Sequence, residues 1–290
     1  MKIASLIPSG TDIICALGLE KSLVCVSHCC DHAVAKSLPI ATRSIVDSTK
    51  SPLEIDTDVS DAISSSESLY QTDRALLRDL SPDLVLTQTI CDVCAVNSNT
   101  ARASLPEGAK LLNLSATSIN GLWEDIWNVA TATGTSPEEI IDQLQSRLNK
   151  VKTFAKTLDT KPKVLVLEWS EPPFLGGHWV PEMIEIAGGI HLLSNTNEPS
   201  RRATWDEIIE AAPEIVILAP CGYDLNQTIE QGRGLLENSP LSQLNAQIWA
   251  TNATALFSRC TPATIRGIEV VAGILGGNFG VTNEEASRLK

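Results

Sequence analysis

Aromatic side chains are scarce in this sequence, at 4% of 290 residues, and methionine occurs only twice. A core drawn from 43% apolar residues must then rest on Val, Ile, Leu and Ala, and any local gathering of rings stands out against that background. Positive charge is also short: 22 Lys and Arg face 35 Asp and Glu, for a net charge of −13. Nucleic acids and anionic membranes are held through clustered Lys and Arg that neutralise phosphates, so this balance argues against both and leaves small molecules and proteins as partners. No run approaches the roughly 20 apolar residues of a membrane span.

Other absences narrow the field further. The chain opens directly on a strand-like segment, with no charged-then-apolar leader before it. As written it reads as cytoplasmic, or as periplasmic if the N-terminus is a processed form. Eight cysteines are too sparse for a disulfide scaffold, and Cys15 and Cys25 sit among apolar neighbours as buried thiols would. There is no GxGxxG, Walker, HExxH or GxSxG pattern, and the local carboxylates Glu168 and Glu171 are too unspecific to define an acid/base pair. A non-catalytic protein, monomeric and without an enzyme cofactor, is the expectation.

What is present is a concentration of rings in Glu168–Gly189, which holds Trp169, Phe174, His178 and Trp179 between an apolar run at Val164–Leu167 and a short helix opened by Pro181 and stopped at Gly188-Gly189. Around it the chain alternates strands and helices: strands at Ile3–Ile7, Leu23–Ser27, Leu84–Thr87 and Lys110–Leu114, with helices at Thr11–Leu17 and from a Thr72 cap through Leu80. From Ser118 a helical pattern runs for some forty residues. Ser136-Pro137-Glu138-Glu139 caps its second part, and Ile140, Ile141, Leu144, Leu148, Val151 and Ala155 follow at helical spacing. Strands resume at Val164–Leu167, Ile215–Ala219 and Ile248–Thr251, and a helix over Thr264–Leu275 closes the pattern. This gives an N-terminal α/β lobe over 1–117, a helical segment over 118–160 and a C-terminal α/β lobe over 161–290. An internal echo supports two lobes: Leu80-Ser81-Pro82-Asp83-Leu84-Val85-Leu86 resembles Ala211-Ala212-Pro213-Glu214-Ile215-Val216-Ile217. Ligands of open α/β sheets sit beyond the carboxyl ends of the strands, which singles out 87–94, 168–179 and 220–223 as edges of one cleft.

Several segments carry a resemblance to a known family. Ser5-Leu6-Ile7-Pro8-Ser9, Val26-Ser27-His28-Cys29-Cys30-Asp31, Tyr70-Gln71-Thr72-Asp73, Cys91-Asp92-Val93-Cys94 and Ala219-Pro220-Cys221-Gly222-Tyr223, together with the ring-rich stretch, resemble the cobalamin-binding branch of the substrate-binding proteins of ABC importers, the helical-backbone receptors for iron-siderophores, haem and corrinoids. The resemblance implies two Rossmann-like α/β lobes with parallel sheets, joined by one long rigid helix, with the ligand cleft between them. It implies a cobalamin or other corrinoid as ligand and an ABC importer permease as partner. On one wall it implies His28, Asp31, Arg43, Tyr70, Gln88, Cys91 and Cys94, and on the other Phe174, His178, Trp179, Arg201, Trp205, Cys221, Tyr223 and Phe257. Asp73 and Glu207 would dock onto basic permease residues. The segment Phe257-Ser258-Arg259-Cys260-Thr261-Pro262-Ala263 departs from the Pro-Gly-Pro-Arg pattern of close relatives.

Two competing expectations come from the residues themselves. Cys91, Cys94, Cys221 and His178 are the donor types of a zinc-like metal site, which would make the protein a metal-ion receptor. An enzyme acting on a corrinoid or a metal-linked small molecule is the other. Trp123, Trp127 and Trp249 read as packing residues, and His191, after the Gly-Gly stop, as a structural histidine.

Overall fold

The computed structural model describes residues 1–65, 68–90 and 96–290. They form two compact units, Met1–Ala116 with Asn120–Ile141 and Thr117–Ile119 with Asp142–Lys290. In chain order the first contains β1 (Ile3–Ser5), α1 (Pro8–Ala16), β2 (Leu23–Cys25), β3 (Thr42–Ser44), α2 (Pro52–Ser64), β4 (Tyr70–Thr72), α3 (Arg74–Leu80), β5 (Leu84–Gln88), α4 (Ser98–Arg102) and β6 (Lys110–Leu114). Helices α5 (Ile119–Thr133) and α6 (Glu138–Ala155) follow, and the division between the units falls inside each of them.

The first unit is built on a parallel sheet in the order β2-β1-β5-β6. Its central strands are buried on both faces, Ile3, Ala4, Leu84, Val85 and Leu86 being at most 2% exposed, as expected for strands between two helical layers. Beside it, β3 and β4 form a separate antiparallel ribbon. Helix α3 is capped by Asp73, whose carboxylate accepts from Leu76 N at 2.9 Å, rather than by Thr72, which ends β4. The α6 helix begins at Glu138; the Ser136 hydroxyl meets the Glu138 carboxylate, and Ile141, Leu144, Leu148 and Val151 turn to the core at helical spacing. Trp127 is 46% exposed on α5 and packs no core, contrary to the sequence expectation.

The second unit contains β7 (Lys163–Ser170), β8 (Pro173–Leu175), α7 (Val180–Ala187), β9 (Ile190–His191), β10 (Arg201–Arg202), α8 (Trp205–Ala211), β11 (Ile215–Leu218), α9 (Leu225–Asn238), β12 (Gln247–Thr251), α10 (Ala253–Leu256), α11 (Pro262–Ile274) and β13 (Ala286–Arg288). Its sheet is mixed. Strands β9, β7, β11 and β12 run parallel, while β8, β10 and β13 are antiparallel additions, so parallel sheets describe only the cores of the units. The antiparallel β8 exists because the chain turns back directly after β7 and pairs Phe174 with Trp169.

The sequence echo has a structural counterpart in each unit. Helices α3 and α8 both end on a left-handed residue, Ser81 (φ 46°) and Ala212 (φ 47°), and each is followed by Pro and an acid. Asp83 accepts Lys2 N at 2.7 Å and returns its own N–H to Lys2 O at 2.8 Å; Glu214 accepts Lys163 N at 2.7 Å and donates to Lys163 O at 2.9 Å. The carbonyls of Asp83 and Glu214 then accept Lys110 N and Gln247 N, both at 2.9 Å. The same acid therefore ties three strand starts together at the amino edge of each sheet.

Candidate functional site

At the carboxyl edge of the first sheet, the chain leaves β2 into a turn carrying His28. The His28 ring has Nδ1 2.7 Å from Thr42 Oγ1 on β3 and packs against Tyr70 on β4, with centroids 5.8 Å apart. Burial holds its pKa below the usual imidazole value. The ribbon's alternation decides which residues join it. Thr42, Ser44 and Tyr70 share one face, and Arg43 lies on the other, donating through its guanidinium to Gln71 Oε1. Asp31 is exposed. Gln88 is 6% exposed at the end of β5, and its Oε1 accepts from Ile90 N at 2.5 Å. Cys91 and Cys94 lie outside the described residues.

In the second unit the same edge carries a cluster of rings. Trp169 and Phe174 face each other across β7 and β8, and Tyr223, after β11, meets Trp169 edge to face at 5.7 Å and 76°. The Arg202 guanidinium stands over the Phe174 ring, 5.4 Å from its centroid. Burial raises the Tyr223 phenol. The β8–β10 register explains why Arg202 and not Arg201 joins the rings: Arg202 is opposite Phe174, whereas Arg201 is opposite buried Leu175 and donates to Leu193 O and Glu207. Glu168 and Ser200 are hydrogen-bonded beside this group, and the Glu168 carbonyl accepts from Cys221 N at 3.0 Å. Trp169 and Arg202 were absent from the residues the sequence singled out for ligand contact; only the pairing of β8 identifies them, because the β7 register shifts between Leu167 and Trp169 and turns the Trp169 ring to the Phe174 face.

Phe257 is 1% exposed and Trp179 8%, and Trp179 Nε1 donates to Phe257 O at 3.0 Å, so both belong to the packed interior of the unit. Trp205 is half-buried against the core beneath α8. His178 takes a left-handed backbone (φ 52°), donating its N–H to Glu198 O at 2.6 Å and accepting Asn197 N at 3.0 Å. Gly177 permits this approach, since a Cβ there would meet Ser200 N at 2.3 Å. The His178 Nδ1 is buried without a protein partner, and burial lowers the pKa of the ring. His191 presents Nδ1 to Ser194, while its Nε2 is buried and unpartnered.

Cys221 is exposed at the start of the turn before Tyr223. Among the described residues no group of three His, Cys, Asp or Glu side chains is arranged to hold a metal ion. Among them, too, no helix is long and apolar enough to cross a membrane. The two acids expected to dock a permease both serve helix starts: Asp73 caps α3, and Glu207 completes a capping box with Thr204 on α8 while pairing with Arg201 at 3.3 Å. The backbone N–H of Thr204 is the main cause of the lowered Glu207 pKa.

The arrangement offers flat apolar faces, an arginine and scattered hydrogen-bonding groups. That suits holding a planar ligand better than transforming one. The same fold recurs in a haem-binding protein of Pseudomonas aeruginosa (16% identity, TM-score 0.73, covering 99% of this chain and 97% of that one). It recurs in a possible iron-binding protein of Staphylococcus epidermidis (20%, 0.70, 95% and 98%) and in the vitamin B12-binding protein of Vibrio cholerae (18%, 0.66, 95% and 96%). No match was found among curated proteins. The family model described as "Periplasmic binding protein" matches residues 3–246. With most of its length under that model and two α/β units of this construction, the chain belongs to the periplasmic binding proteins.

Proposed function

We propose that this chain is an extracytoplasmic substrate-binding protein that captures a corrinoid of the cobalamin type and delivers it to an ABC importer. The observation that carries the reading is the group of Trp169, Phe174, Tyr223 and Arg202 at one sheet edge of a chain with only 4% aromatic residues. A corrin is a broad, largely apolar plate with amide arms. Ring faces and edges meet the plate, and Arg202, Tyr223 and Glu168 supply donors and an acceptor for the arms. On the first unit, His28 and Tyr70 form a ring pair of their own. Asp73 and Glu207 are the acids assigned to permease docking.

The test is a spectrum. Purified protein incubated with excess cobinamide or cobalamin and desalted retains the corrin absorbance bands, and free corrinoid left unbound at high concentration overturns the assignment. Haem is the second reading, favoured by the whole-length likeness to the Pseudomonas aeruginosa protein. A Soret band after the same procedure with haemin, without corrin retention, establishes it. Elemental analysis of the untreated protein addresses the metal-ion reading, which rests on Cys91, Cys94, Cys221 and His178. Recovery of chemically altered corrinoid after long incubation supports an enzyme instead.

A further inference from the structure

The turn after β2 contains an arrangement that ligand capture does not require. Ser27 to Cys30 form a turn closed by Cys30 N donating to Ser27 O at 3.1 Å, with His28 and Cys29 at its centre. Cys29 Sγ lies 3.1 Å from His28 Nε2. On the other side of the ring, Nδ1 is 2.7 Å from Thr42 Oγ1, which is itself 3.2 Å from Ser27 Oγ. The turn's own amides brace the chain, His28 N donating to Thr42 Oγ1 at 3.0 Å and Cys29 N to Ser27 Oγ at 3.3 Å. Thr42 and Ser27 are buried, at 6% and 4%, while Cys29 is exposed.

This is the order of a nucleophile, a base and a group that orients the base. Both tautomers of His28 favour the thiolate. With the proton on Nδ1, Thr42 accepts it and Nε2 stands ready to take the thiol proton. With the proton on Nε2, that N–H donates to the sulfur and stabilises its anion. Burial lowers the pKa of the ring, which favours its unprotonated form, with a lone pair for the thiol proton as the sulfur attacks. Cys15 also has an imidazole nearby, His32 Nδ1 at 3.7 Å, but burial, with Asp12 and Glu20 adding to it, pushes its thiol up to about 11 and leaves it a poor competitor.

We propose that Cys29 is an imidazole-activated thiol and a site of thiol–disulfide exchange, taking low-molecular-weight disulfides of the glutathione disulfide class. The Cys29 thiolate attacks one sulfur of the disulfide, and a new S–S bond forms to the protein as the old one breaks. One equivalent of small thiol leaves, carrying the proton that Cys29 gave to His28. The protein sulfur is oxidised, half of the disulfide is reduced, and no other reagent is needed. The inference is independent of which ligand the protein carries.

The test uses exposed Cys221 on the other unit as an internal reference. Full-length protein is treated briefly with glutathione disulfide at pH 7 and the modified peptides are quantified. Cys29 is expected to react about tenfold faster than Cys221, and His28→Ala is expected to bring it down to the Cys221 rate, with added imidazole restoring part of the difference. Equal rates in the native protein overturn the proposal, as does a Cys29 preference that survives His28→Ala. If His28→Ala accelerates both cysteines together, the fold has been lost and His28→Gln decides: Cys29 preference lost there supports the proposal, and preference retained overturns it.

Discussion

Asp125 and His191 are buried titratable groups whose effects on stability oppose each other. Asp125 is 2% exposed and accepts Ser115 N and Ala116 N at 3.0 Å, yet burial outweighs those bonds and raises its pKa to about 6. Its folded-state value is above its unfolded one, so its contribution is fully present below pH 3.8 and is lost as pH rises through about 6. His191 is shifted the other way, to about 4 by burial. Its contribution is present above pH 6.5 and is lost as pH falls toward 4. Each is worth on the order of 3 kcal/mol across that window. Urea unfolding from pH 7 to pH 4 should therefore show Asp125→Asn losing stability relative to the parent protein, and His191→Gln gaining it. Trp169 gives a prediction of another kind. Trp169→Ala removes the ring that both Phe174 and Tyr223 contact, and corrinoid affinity measured by equilibrium dialysis should fall roughly tenfold or more.

Among the elements, α11 carries a network of charge-assisted bonds. Arg266 donates to both Glu285 oxygens, at 2.6 and 2.8 Å, to Glu269 at 3.0 Å and to the carbonyls of Phe279 and Gly280. Glu269 also accepts a two-pronged bond from Arg147 on α6, at 2.8 Å for each prong. The Arg266 guanidinium holds Glu285 down to about 2, so this contribution is present above the ordinary carboxylate range and fades as pH falls toward 2. Arg266→Ala leaves Glu269 to Arg147 and Glu285 to Thr282, takes the guanidinium from the Phe279 and Gly280 carbonyls, and should cost about 3 kcal/mol in denaturant unfolding at pH 7. That network joins residues distant in sequence, and no local pattern announces it. What was legible followed local rules. The Leu84 and Ile215 strands, α6 with its apolar spacing, and α7 between Pro181 and Gly188 (φ 103°) all declare themselves through periodicity and end signals. The short antiparallel strands β8, β10 and β13 did not, because two or three residues carry no period and pairing alone defines them. For the same reason Arg202 was passed over in favour of its neighbour: only the register with Phe174 distinguishes the two.

At the scale of the molecule, each unit anchors its strand starts through the Pro-acid junction at one sheet edge and keeps its rings and polar groups at the carboxyl edge. Bracing bonds and ring groups are thereby placed at opposite ends of the same strands. Exposing the rings without ligand leaves apolar surface in water, and a ligand that binds only the folded chain removes it. Binding must then raise stability by mass action, with about 2.7 kcal/mol expected when free ligand is at 100 times its dissociation constant. The melting temperature should accordingly rise with corrinoid concentration and keep rising after the site is saturated, because each further increase in ligand still favours the folded state. Trp169→Ala should shift that whole curve to higher ligand concentration while leaving the ligand-free melting temperature little changed, since the ring is only partly buried. Differential scanning calorimetry at a series of ligand concentrations checks both. A melting temperature indifferent to corrinoid but responsive to haemin would assign the rings to the other planar chelate.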